Sequence, residues 1–418
     1  MCRRVSDIEK KNKLDQYLDE NPGFQRLREE LKEKGFWIHA AHDRVPEWDQ
    51  LGTQEAQKRY HYLPVASKGE VERIADPESM EDLILALRAD SIVDNMRILR
   101  TFHTRARKVP EDTWTLASQF DDSIFRQFKK MLASPYRESA DAVSYCTVFT
   151  DKPKASCAST RFGPLILFSE ALRVFFYYMN LAFFPFLDEK DSDVPLEVRR
   201  NALVIGLRAM LLKEAFDFEI DPRGTIPTYV DMRLRSCTQS QLLFVVGHEL
   251  GHFFLGHLDD NHLESGHLHA LDNSSGDTEL ASLQIYTKKQ ETEFAADAEA
   301  LEMLRQPDDE VNSAFHLSGI LAMCHLELFE AVTSVRTASA PSSTHPPAGE
   351  RRRRLTAVAK RTLHAEETEI PDEMEFLTNQ FKVLLQRLGE ASPDLFETYG
   401  SVYLDVWRGP AKLDREDY

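Results

Sequence analysis

Residues 244–258 read FVVGHELGHFFLGHL. Three histidines and one glutamate stand in a run otherwise made of Phe, Val, Leu and Gly, and the apolar spacing predicts a helix buried on most sides. Imidazoles and a carboxylate placed there are costly unless something compensates them. His248 and His252 are four apart, so they project from one helix face, a turn apart. Glu249 lies about 100° round from His248 and about 60° from His252, bordering the same cleft. In this H-E-x-x-H arrangement two imidazoles bind zinc, and the glutamate takes a proton from the water on the metal. A catalytic zinc takes three protein ligands and leaves a position open, so a third ligand must lie elsewhere. His257 does not supply it, because on a continuous helix it points about 180° away from His248. It is expected to be a structural or surface residue. The metzincin spacing, with Gly three and His six residues after the second histidine, is broken by Phe254–Leu255 and Leu258.

The third ligand is sought in ETEFAADAEALEML, residues 291–304. Glu293 and Asp297 are four apart, and Ala300, Leu301 and Leu304 continue their stripe, while Glu299 and Glu302 fall on the polar face. Two carboxylates on the buried stripe of an amphipathic helix make poor packing but a sensible ligand and neighbour. Glu293 is therefore expected as the third zinc ligand. Asp297, one turn on, can accept the other ring N–H of His248 and fix its tautomer.

HELGH followed by EFAAD resembles the gluzincin metallopeptidases, in particular the HtpX and CAAX-prenyl-protease type, which carry Glu-x-x-x-Asp on a second helix. GHFFLGH has a histidine five residues after the second ligand, as that group often does. STHPPAGERRRRL (343–355) resembles the group's downstream Ser-Thr-His-Pro…Arg…Leu element. His345, Pro346, Arg351 and Leu355 match it, whereas Arg352 stands where an apolar residue is usual. The resemblance covers roughly residues 145–360. Soluble peptidases of the phage-exclusion (Lit) type share a similar layout. What the resemblance implies is zinc-dependent peptide-bond hydrolysis. It also implies that KASCAST (154–160) is an edge strand pairing with an extended substrate, and that His345 reaches the site, donating to an oxyanion or latching onto the metal.

Outward from these motifs, residues 1–135 carry helical patterns such as FQRLREELKEKGFWI (24–38) and MEDLILALRADSIVDNMRILRTF (80–102). Short strands are expected in YCTVFT (145–150) and in KASCASTRFGPLILFSEAL (154–172). Apolar helices are expected at 196–216, 239–258 and 314–332, with loops at 259–277 and 336–350. The chain thus divides into a helical N-terminal region (1–135), a zincin-like core (136–335) and a linker with a helical C-terminal region (336–418). The expected class is α+β, mainly helical, with a small sheet beside the active-site helix.

The balance of 51 Lys+Arg against 69 Asp+Glu, a formal net charge of −18, argues against a sequence-independent grip on nucleic acid. The run Arg351–Arg354 reads as a solvated patch. Five scattered cysteines without a C-x-x-C pair fit a reducing compartment. No apolar h-region follows the first residues. GPLILFSEALRVFFYYMNLAFFPFL (163–187) is the nearest thing to a membrane span, but Glu170, Arg173, Asn180 and Pro185 interrupt it, so a core strand and helix are expected. The protein is therefore read as cytoplasmic, without a membrane span.

Among the remaining histidines, His262, His267 and His269 lie in an Asp/Ser/Asn/Gly-rich stretch expected to be exposed. His316 and His325 are read as satisfied core histidines. Cys157 has no local base and is not expected to be a nucleophile, and nothing singles out Tyr229 as an aid to transition-state stabilisation. The resulting expectation is a zinc metalloendopeptidase acting on a protein or peptide substrate, with Zn²⁺ on His248, His252 and Glu293 and Glu249 as base. A catalytically silent zinc-containing regulatory protein, or a zinc hydrolase of a non-peptide bond, is the alternative. A missing edge strand beside the zinc would favour the non-peptide hydrolase.

Overall fold

The computed structural model describes residues 45–404 apart from 46, 94, 96–97, 100–101, 104–113, 150–154, 185–193, 215–225, 259–278, 305–308, 337–345, 362–366, 368 and 403. Helices dominate these residues, and three short strands form one sheet. Helices α1 (Thr53–Tyr62), α2 (Lys68–Ala75) and α3 (Met80–Val93) close a small core around Trp48, Val65, Ile74 and Ile92. Ser67 caps α2 reciprocally: its Oγ accepts from the Glu70 amide at 3.3 Å, and its own amide donates to Glu70 Oε2 at 2.9 Å. Helices α4 (Ser123–Met131) and α5 (Ser134–Ala140) lead into the sheet.

The strands are β1 (Ser144–Val148), β2 (Ala155–Thr160) and β3 (Gly163–Ser169), in spatial order β1-β3-β2. Central β3 is parallel to β1 and antiparallel to β2. Their alternation separates two apolar faces. Tyr145, Cys157, Ile166 and Phe168 face the main helical core, while Cys146, Val148, Leu165 and Leu167 face Leu83 and Leu87 of α3. The 163–187 stretch divides as expected, β3 being followed by α6 (Glu170–Ala182), whose first turn is capped by Ser169 Oγ accepting from the Ala171 amide.

Six further helices complete the order: α7 (Leu196–Met210), α8 (Thr228–Phe254), α9 (Glu279–Met303), α10 (Asp309–Arg336), α11 (Ala348–Ala359) and α12 (Ile370–Ala391). Among the described residues one helical window, Glu310–Thr333, is long and apolar enough to cross a membrane by length and composition, and 67% of its 18-residue window is buried inside the fold. Helix α8 carries HELGH and packs on α9 through a seam of small residues. A Cβ on Gly251 would lie 3.0 Å from the Ala296 carbonyl oxygen, and one on Gly247 3.2 Å from the Ala300 Cβ. Glycine within a helix costs roughly 0.5–1 kcal/mol relative to alanine. Here it lets the two backbones approach, and so brings the carboxylates of α9 to the histidines of α8.

Helix α10 supports this pair from beneath, with Gly319 under the Phe244 ring. It also buries a polar chain in which Asn180 Nδ2 donates to Gln241 Oε1 at 2.8 Å, and Gln241 Nε2 lies 3.2 Å from His325 Nδ1. His325 is the core histidine the sequence suggested, yet only its Nδ1 is hydrogen-bonded. The Phe183 ring stands edge-on to it, with centroids 4.8 Å apart. Helix α11 starts against α10, because both carboxylate oxygens of Glu330 accept from the Ala348 amide at 3.0–3.1 Å. A carboxylate at a helix N-terminus is favourably placed against the helix dipole.

Candidate metal centre

Three donors converge where α8 crosses α9. His248 Nε2 and His252 Nε2 are 3.2 Å apart. Glu293 completes a triangle, with Oε2 3.3 Å from His248 Nε2 and Oε1 3.4 Å from His252 Nε2. A tetrahedral zinc with ligand bonds of about 2.0–2.1 Å requires donors about 3.3–3.4 Å apart. Two imidazoles and a carboxylate at these separations therefore fit the ion in both size and chemistry, and among the described residues these are the three whose donor atoms cluster closely enough to hold a metal.

The surroundings orient the donors. Asp297 Oδ1 lies 2.9 Å from His248 Nδ1, leaving Nε2 of that ring toward the other two donors. Asp297 is held in turn by Arg351 of α11, whose Nε donates to Oδ2 at 2.8 Å and Nη2 to Oδ1 at 2.6 Å. Arg351 Nη1 also lies 3.5 Å from Glu293 Oε2. Burial pushes the Asp297 carboxyl up, but the charge and hydrogen bonds of Arg351 outweigh it and hold the pKa down at about 2. For the metal-free His248, burial and the Arg351 charge push downward, and the carboxylates of Asp297 and Glu293 win, raising it to about 9.

Glu249 is buried beside these groups. Burial first, and then the Glu249 carboxylate, push the Cys157 thiol above its ordinary range. Cys157 thus lies close to the site but is the opposite of an activated nucleophile. Among the described residues β2 is paired only with β3, so its other side is a sheet edge beside α8.

Two readings of the sequence are corrected here. The run Arg351–Arg354 is not a uniformly solvated patch. Arg351 and Arg352 are buried, the latter pairing with Glu327 of α10 at 3.0 Å and Glu375 of α12 at 2.8 Å. Arg351 is the site residue whose role the sequence reading missed, and its signal was present, since it shares a stripe with Ala348, Leu355 and Ala359. His257 is not carried round a continuous helix: α8 ends at Phe254, and His257 Nδ1 lies 3.3 Å from His252 Nδ1. Tyr229 is exposed near the start of α8, nineteen residues or about 28 Å along the helix from His248, so it takes no part in the site. His345, His262, His267 and His269 lie outside the described residues.

No curated protein and no solved structure matches the chain. A family match does exist, over residues 214–359, to the model described as Peptidase family M48. It spans α8 to α11, and with them His248, Glu249, His252, Glu293, Asp297 and Arg351, and it leaves out the sheet and α12. The resemblance read from HELGH and EFAAD is thereby borne out: residues 214–359 match the model of Peptidase family M48, a zinc metallopeptidase family that includes the HtpX type.

Proposed function

We propose that this protein is a zinc-dependent metalloendopeptidase whose substrate, a protein or peptide, is laid as an extended strand along β2. The observation that carries the reading is the donor triangle of His248, His252 and Glu293, with separations of 3.2–3.4 Å beside a buried Glu249. These three residues hold the zinc, which when bound supplies Lewis acidity toward a water and a carbonyl group. Glu249 takes a proton from the attacking water and passes it to the leaving amine. Asp297 accepts the Nδ1–H of His248, so that Nε2 offers its lone pair, and Arg351 keeps Asp297 ionised in the absence of solvent. The side of β2 away from β3, unpaired among the described residues, offers backbone donors and acceptors to an incoming chain. This favours a peptide over a non-peptide substrate. His345 as a donor to the developing oxyanion rests on the resemblance of STHPP…R, and Arg351, six residues on, lies in the site. The cytoplasm is the compartment in which this reading places the reaction.

Purified protein is expected to carry about one zinc per chain. Glu249→Gln keeps that zinc and loses cleavage by on the order of 10²–10⁴-fold, whereas His252→Ala loses the metal. Comparing protein termini in cells expressing wild type and Glu249→Gln names the substrate. Zinc content unaffected by His252→Ala refutes the site, and termini identical in the two cell lines refute the protease.

A further inference from the structure

We propose that His257 is a positioning residue for His252, accepting the Nδ1–H of that ring so that its Nε2 is presented to the zinc; this rests on the metal-site reading above. The local chain dictates the encounter. At the end of α8 the Gly256 amide donates to the Phe253 carbonyl at 3.1 Å, and the His257 amide donates to the His252 carbonyl at 2.8 Å. Gly256 sits at φ +68°, in the left-handed region that glycine adopts without penalty. This is a Schellman closure, whose 6→1 and 5→2 bonds fold the sixth residue back over the first. An apolar contact between those two side chains usually accompanies it. In this chain they are His252 and His257, and the contact is between rings, with centroids 5.5 Å apart and planes at 63°.

The ring chemistry then fixes the roles. His252 Nε2 faces His248 Nε2 and Glu293, and its Nδ1 faces His257 Nδ1 at 3.3 Å. An imidazole that gives its Nε2 lone pair to a cation carries its proton on Nδ1. That proton requires an acceptor, and His257 Nδ1 supplies one when its own proton is on Nε2. The two ligand histidines are thus oriented alike, each through Nδ1. His248 has the anionic Asp297 delivered by α9, and His252 has a neutral imidazole delivered by the turn that ends its own helix.

The test measures zinc affinity by chelator competition on the full chain, together with the visible absorption of the cobalt(II)-substituted protein. His257→Phe keeps a ring and removes the acceptor, while His257→Gln restores an acceptor of similar reach. Expected are zinc affinity about 10- to 100-fold weaker in the Phe variant, recovery toward wild type in the Gln variant, and a cobalt band that shifts with Phe and returns with Gln. Unchanged affinity in His257→Phe, or a Gln variant no tighter than Phe, overturns the proposal. Should His257→Phe fail to fold, Gly256→Ala decides. Moving His257 by straining the turn must weaken zinc binding, and wild-type affinity there overturns the proposal. His252→Ala, run alongside, separates the outcomes: retained zinc in that variant refutes the metal site itself, whatever His257 does.

Discussion

Arg351 is buried with its guanidinium between Asp297 and Glu293, and no water is needed to account for its charge. Such a group is favourable only as part of its set, because removing one partner leaves the others charged and desolvated. Arg351→Met is therefore expected to destabilise the zinc-free protein by about 3–5 kcal/mol, read from urea unfolding. Adding Asp297→Asn should cost less than the sum of the two single changes, since the second removes the charge the first left unpaired. Strict additivity counts against the pairing. The sequence made the ligands legible for the same reason it could have exposed Arg351. Glu293 and Asp297 are conspicuous as carboxylates on an apolar stripe, and Arg351 is an arginine on the stripe of Ala348, Leu355 and Ala359. Its place in a run of four arginines hid it, because a charge run suggests solvent, and only burial distinguishes Arg351 and Arg352 from the two that follow.

Among elements, the α8–α9 seam determines whether the donors meet. Periodicity made the helices and the β2–β3 hairpin readable, but the crossing of α8 with α9 rests on side chains that are absent, and periodicity does not register an absence. Glycines 247 and 251 face Ala300 and Ala296. A methyl on Gly251 meets backbone, which cannot rotate away, whereas one on Gly247 meets the Ala300 methyl slightly farther off. Gly251→Ala is accordingly expected to push α9 outward, costing about 1–3 kcal/mol and weakening zinc binding more than Gly247→Ala does. Chelator competition on the two variants checks the order, and equal zinc affinity in both would remove the seam from the account. The end of α8 teaches a related lesson. Gly256 was a readable stop signal, but extending the helix through it aimed His257 the wrong way.

At the scale of the whole molecule, two buried histidines with opposite environments give the zinc-free protein a peaked stability profile. Metal-free His248 is raised to about 9 by its carboxylates, so the folded state binds a proton that the unfolded chain releases above its ordinary value of about 6.5. Its contribution is complete below about 6.5 and is lost as pH rises toward about 9. His325 is pushed by burial alone, among the described residues, down to about 3. The unfolded chain takes up a proton below about 6.5 that the folded core refuses, so its contribution is present above that pH and is lost on acidification. Each limb has a limiting slope of about 1.4 kcal/mol per pH unit. Well below about pH 6.5 His248 is protonated in both states and adds nothing, so the acid limb reports His325, opposed by Glu330, whose carboxyl burial raises. Above about 8.5 the buried thiols Cys146 and Cys324, both pushed up by burial, steepen the alkaline limb further. Urea unfolding of the metal-free chain across this range should show a maximum near pH 6.5. His325→Leu should flatten the acid side and leave the alkaline side in place, and His248→Leu should do the reverse between about pH 6.5 and 8.5. An acid limb that survives His325→Leu assigns that slope to other groups and removes His325 from the pH response.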